Sequence, residues 1–285
     1  MAVGTIPGKV EHGSLLPFVL RVYAEFSQDR IPTVAGGITF FALLALFPAI
    51  GSVVSLYGLF SDRATIAHDV DLVSGFLPGG AITILKAELA RLTAQPGQTL
   101  SLAFLGSSLI ALWSASGGFK ALVDGLNVAY EVRETRSFLR LSANALIFTL
   151  AAIVFAAASI YLGLIVPDTT RGGPFVFALQ ILVWPASFFA CTLILAVIYR
   201  FGPNRKHPKW RWITWGSATA SLLWLAGTRL FSWYVEHFGS YNRVYGDLGA
   251  AVGFLTWLWL SLVILLLGAE INCELEREDA SASGH

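Results

Sequence analysis

Six apolar runs, each long enough to cross a bilayer, constrain this chain more than any other feature. They cover residues 34–60, 99–119, 142–166, 175–199, 212–235 and 247–272. A hydrocarbon core takes about 20 helical residues. Inside lipid every backbone polar group must be satisfied within the protein, so only helices or closed barrels span it. The runs lack the residue-by-residue alternation of barrel strands, which leaves helices. Composition agrees: 55% of residues are hydrophobic, 13% are charged, and the mean hydropathy is +0.67. A net charge of +1 gives no basic bias toward nucleic acid.

The predicted fold is all-α: a polytopic six-helix membrane bundle. Residues 1–33 form a cytoplasmic segment, 34–272 the membrane domain, and 273–285 a cytoplasmic tail. Thirteen of the nineteen Lys and Arg fall on one side of this arrangement and five on the other, with Arg229 inside the fifth span. The positive-inside rule therefore puts both termini in the cytoplasm. The sequence does not begin with a secretory signal pattern: its first fourteen residues are mixed and polar, and the first long apolar run starts near Val34. Pro48 and Pro185 lie mid-span and predict kinks in the first and fourth helices.

Two amphipathic segments flank the spans. Residues 61–98 carry two apolar stripes, Ile66, Val70, Val73 and Leu77, then Ile82, Leu85, Leu89 and Leu92, separated by Pro78-Gly79-Gly80. This spacing predicts an external helical hairpin, either a shield over helix ends or a lid over a cavity. Before the first span, Phe18, Val22 and Phe26 form a short apolar face beside Arg21 and Arg30, as expected of an interfacial helix.

An ionisable group inside a membrane is a functional candidate. Arg229 either snorkels to the outer interface or pairs across the bundle with Asp247, which also suits the N-terminus of the sixth span. Glu270 sits at the cytoplasmic end of that span, either as a solvated or paired carboxylate or as a proton carrier. Lys120 and Asp124 are four residues apart and predict a helix-surface ion pair. Asn127, Tyr130 and Arg133 continue the same helix and are candidates to line a polar vestibule. Gly249 and Gly253 form a GxxxG ridge suited to helix packing within the chain or between copies.

Catalytic and metal signatures are missing from the sequence. His12, His68, His207, His237 and His285 scatter over both sides of the membrane, and no Walker A, GxSxG or HExxH sequence occurs. Cys191 and Cys273 support neither a disulfide framework nor a metal site. The expectation is a non-enzyme without cofactor or metal.

Three stretches resemble a known family. Ala35-Gly36-Gly37-Ile38-Thr39-Phe40-Phe41, running on to Pro48, is similar to the first-span signature of the YihY/virulence factor BrkB membrane proteins. Trp113 to Leu122, Leu126-Asn127-Val128-Ala129-Tyr130 and Arg136 continue the likeness. So do Tyr245 to Ala250, Trp257-Leu258-Trp259 and Leu267-Gly268-Ala269-Glu270-Ile271-Asn272. The resemblance extends from about Arg21 to Glu276. Phe41 departs from the Tyr expected there, so no hydroxyl role carries over. The resemblance implies a six-helix bacterial inner-membrane protein. It also brings an inherited ribonuclease BN label, for which these residues offer no nuclease centre. The expected partners are membrane lipids and an anionic or lipid-like substrate, with a homo-oligomer possible and nucleic acid excluded. A transporter or flippase leads, and a non-transporting envelope scaffold is the alternative.

Overall fold

The computed structural model describes residues 15–57, 102–149, 174–205, 214–238 and 247–283. Seven helices lie among the described residues: α1 Leu15–Gln28, α2 Ile31–Tyr57, α3 Leu102–Ala129, α4 Phe138–Thr149, α5 Pro174–Phe201, α6 Trp215–Phe238 and α7 Asp247–Ser283. The external hairpin at 61–98 and most of the third span lie outside the described residues.

Local chemistry sets the helix ends. Arg30, between α1 and α2, adopts a left-handed backbone (φ 50°), and its carbonyl accepts bonds from Thr33 and Val34. Pro32 follows in the first turn of α2, where its missing N–H has no partner to lose. Glu131 is left-handed too (φ 50°) and closes α3, with Val132 N–H bonding the Asn127 carbonyl. Thr214 and Ser217 cap α6 reciprocally: each backbone N–H donates to the other's hydroxyl, at 3.1 and 3.2 Å.

Helices α2 and α5 run through Pro48 and Pro185 without ending. The last helix outruns its predicted span. Its 37 residues extend roughly 55 Å at 1.5 Å each, well beyond a ~30 Å hydrocarbon core. The stretch expected as a tail after Asn272 is therefore helical to Ser283, and Arg277, three glutamates and Asp279 lie on that extension. Val252–Ser281 is long and apolar enough to cross a membrane; Ile31–Ala45, Phe138–Thr149 and Pro185–Phe201 are shorter apolar helices.

The described core gathers Ile31, Ala35, Ile38, Leu126, Leu195, Tyr199, Leu262 and Leu266 from α2, α3, α5 and α7. Glycine makes three close approaches there. A Cβ on Gly125 would lie 2.5 Å from Ile38 Cδ1, and one on Gly202 2.6 Å from Leu126 Cδ1. At the α6–α7 crossing, a Cβ on Gly216 would lie 2.0 Å from the Gly268 carbonyl oxygen. By contrast, Gly253 of the predicted GxxxG ridge has nothing within 4 Å of its Cβ position among the described residues. Gly249 is helical, with its surroundings outside the described side chains.

The outward surface is apolar. Phe40, Phe41, Leu44, Leu109, Phe189, Leu193, Leu222, Leu230 and Val252 are all exposed. Such a surface suits lipid, not water, and an exposed Phe41 has no use for a hydroxyl. The faces of α1 differ from expectation. Val22 is buried and Phe26 packs against the core, while Leu16, Val19, Leu20 and Tyr23 point outward. The apolar stripe expected of an interfacial helix docks α1 onto the protein through Val22 and Phe26, and Arg21 reaches Glu274 and Glu278 of α7.

Candidate functional site: a polar layer at the helix ends

Polar side chains converge where α3 ends, α5 ends, α6 begins and α7 leaves its apolar stretch. Asn127 is buried at the last turn of α3. Its amide donates to Glu134 Oε2 at 2.9 Å, and its carbonyl oxygen accepts the Asn204 backbone N–H at 2.8 Å. Asn204 donates in turn to the Arg133 carbonyl (2.9 Å) and the Thr135 hydroxyl (2.7 Å). Glu134 is gripped by Arg136, whose Nε and Nη2 approach the two carboxylate oxygens at 2.8 and 2.6 Å. Arg136 also reaches the Gly202 carbonyl at 2.9 Å, which ties the α3–α4 connection to the end of α5. The Arg136 guanidinium holds the Glu134 carboxyl down to about 2, with Asn127 helping.

A second set of bonds closes the layer from the α7 side. Arg205 approaches both Glu276 oxygens, at 2.8 and 3.0 Å, donates to the Tyr199 carbonyl, and lies 4.3 Å from the Tyr130 ring centroid. Burial pushes the Tyr130 hydroxyl up. Asn272 accepts the Gly216 N–H at 2.9 Å and donates to the Tyr130 hydroxyl at 3.3 Å. Fully buried Tyr199 donates to the Leu265 carbonyl at 2.7 Å.

Arg277 anchors the third part, pairing with Glu131 (2.5 Å), Glu25 (2.9 Å) and Glu274 (3.3 Å). The Glu131 hydrogen bond pushes its guanidinium up. Glu270 is buried at the edge of this group, 3% exposed.

The structure thus brings Asn127, Tyr130, Glu270 and the Arg133 backbone into one region. It separates Lys120 from it. The Lys120 ammonium lies 4.7 Å from the Trp113 ring centroid and 4.8 Å from that of Phe138. Among the described residues it forms no ion pair with Asp124, so the predicted helix pair is replaced by cation–π contacts. Arg229 is exposed on α6, away from the layer. Asp247 opens α7, and its side chain lies outside the described residues, as do those of Pro48 and Gly249.

Sequence reasoning missed Glu134, Asn204, Glu276 and the two acids that Arg277 grips, Glu25 and Glu131, as site residues. A signal was present: Gly202-Pro203-Asn204 is turn chemistry directly after a span, and α7 carries an acid or base at most positions from Glu274 to Asp279.

A helical bundle with an apolar outer surface, its buried polar groups collected at the helix ends, is an integral membrane protein. The chain belongs to the virulence factor BrkB family, whose pattern matches residues 22–285. Its relatives include the ribonuclease-like protein YfkH of Bacillus subtilis, 26% identical over 92% of this chain and 96% of that one. A UPF0761 membrane protein of Vibrio cholerae is 27% identical over 94% of this chain and 90% of its own length. Another, from Chromobacterium violaceum, is 26% identical over 93% of this chain, which spans 63% of that protein. No solved structure matches significantly.

Proposed function

We propose that this is a multi-pass protein of the bacterial inner membrane, with both termini cytoplasmic, that moves an anionic, lipid-like substrate across the bilayer. The polar layer carries the reading. Ion pairs that keep solvent contact contribute little net stability. Here Arg136–Glu134 and Arg205–Glu276, with the Asn127–Asn204 hydrogen bond, link the ends of α3 and α5 to α7. Exchangeable polar contacts at such a place suit a cytoplasmic gate held shut. Arg229 supports the anionic substrate: it is an exposed cation on a helix that also exposes Leu222, Leu230 and Trp233, and exposed cations beside apolar surface attract lipid phosphates. A nuclease is disfavoured, since among the described residues no group of His, Cys, Asp or Glu is placed to hold a metal ion.

The test is reconstitution in liposomes with fluorescently labelled anionic and neutral lipids. Protein-dependent movement of the anionic lipids, reduced in Arg229→Ala, is expected. No movement across a range of lipids, with or without a proton gradient, sinks the proposal.

One observation favours a second reading, a non-transporting scaffold. The space around Gly253, beside exposed Val252 and Thr256, leaves a small-residue ridge open to another helix. Gly253→Leu then abolishes self-association in bilayers and cellular function, whereas Arg229→Ala changes neither.

A further inference from the structure

Carboxyl groups meet around the α1–α2 junction without enough cations among them. Glu270 is 3% exposed and lies within electrostatic reach of the Asp29 carboxyl. Two carboxyl groups can hydrogen-bond each other only if one of them carries a proton. Glu270 Oε1 is buried with no partner, and Glu25 Oε2 is in the same state. The charged groups facing Glu270 are Asp29 and Glu25 from the α1 side, Glu131 from the end of α3, and Arg277 from about two turns further along α7. Arg277 is already shared among Glu25, Glu131 and Glu274, while Arg21 is taken by Glu274 and Glu278. A full negative charge on Glu270 therefore has no cation of its own.

We propose that Asp29 and Glu270 form a proton-binding site whose occupancy holds α1 and the start of α2 against α7. When the site empties, the O–H bond of the bound proton breaks, the proton passes to bulk water, and two carboxylates remain in the same region as Glu25 and Glu131. Their repulsion loosens the seam that Arg21 and Arg277 otherwise hold. Asp29 shows the same bias from its own surroundings: burial, then the charges of Glu25 and Glu131, push its carboxyl up. An acid raised in the folded state binds more protons there than when unfolded, so stability falls as pH rises through its titration.

Infrared difference spectroscopy on the full-length protein in nanodiscs, titrated upward from pH 5, tests this. A protonated-carboxyl C=O band that survives above the ordinary carboxylate range of about 4, and is lost in both Glu270→Gln and Asp29→Asn, is the expected result. Thermal unfolding provides the second readout. The wild type loses stability as the band disappears, and Glu270→Gln, a neutral mimic of the protonated acid, loses less. Absence of the band, its persistence in both variants, or identical pH–stability curves for wild type and Glu270→Gln overturns the proposal. The site stands independently of transport: a failed liposome assay with the band intact removes only the transport reading.

Discussion

Gly216 and Gly268 meet backbone to backbone at the crossing of α6 and α7, where a Cβ on Gly268 would sit 2.8 Å from the Gly216 carbonyl oxygen. The same Cβ would lie 2.3 Å from the Tyr199 hydroxyl and 2.7 Å from Ala220 Cβ. The hydroxyl is bonded to the Leu265 carbonyl and has little room to yield. Gly268→Ala is expected to destabilise the protein by about 1–3 kcal/mol through overpacking. Gly253→Ala, entering open space, is expected to be neutral or slightly stabilising, since Ala favours a helix by up to about 1 kcal/mol. Thermal unfolding of the two variants in one detergent checks the contrast.

Asn272 satisfies two groups at that crossing, the Gly216 N–H and the Tyr130 hydroxyl. Asn272→Ala strands a buried donor and is expected to cost about 1–3 kcal/mol. Asn272→Asp keeps the acceptor for Gly216 but adds a buried charge one turn from Glu276, so it fails to rescue at neutral pH. Comparing the two by thermal shift separates lost bonding from added charge.

Glu134 makes the network sensitive to acid. Its carboxyl is held at about 2, below its ordinary value of 4.5, by Arg136. The folded state thus binds fewer protons than the unfolded one between these values. The resulting stability is fully present above the ordinary value and is lost as pH falls toward 2. Partial exposure and screening reduce it to about 1–2 kcal/mol. Glu134→Gln is expected to flatten the acid limb of the stability curve, and an unchanged limb in that variant contradicts the assignment.

Arg205 combines a two-oxygen grip on Glu276, a bond to the Tyr199 carbonyl and stacking on Tyr130. A lysine has the charge but neither the fork nor the plane. Arg205→Lys is expected to lose most of what Arg205→Ala loses, about 1–3 kcal/mol. Full retention of stability in the lysine variant shows that charge alone suffices.

The helices were legible in the sequence because apolar length is a one-dimensional property. The predicted span at 175–199 and helix α5 at Pro174–Phe201 nearly coincide, and Asn127, Tyr130 and Glu270 stood out as polar groups at the ends of apolar runs. The end of α7 was not legible, because hydropathy stops at Asn272 while the helix is continued by pairing of Glu274, Glu276 and Arg277 with distant partners. Those partners lie up to about 250 positions away, and no local pattern encodes them. Lys120 shows the same limit. Spacing points to Asp124, yet the aromatic rings of Trp113 and Phe138 enclose the ammonium.

Under the proposed transport function, the polar layer that joins the helix ends must open as lipid moves. Thr135 and Asn204 touch within that layer at 2.7 Å. The most direct measurement uses Thr135→Cys with Asn204→Cys, in a background of Cys191→Ser and Cys273→Ser, reconstituted in liposomes containing labelled anionic lipid. A short, reducible thiol crosslinker between the two cysteines is predicted to stop lipid movement, and reduction to restore it. Movement that continues unchanged in the crosslinked protein contradicts the claim.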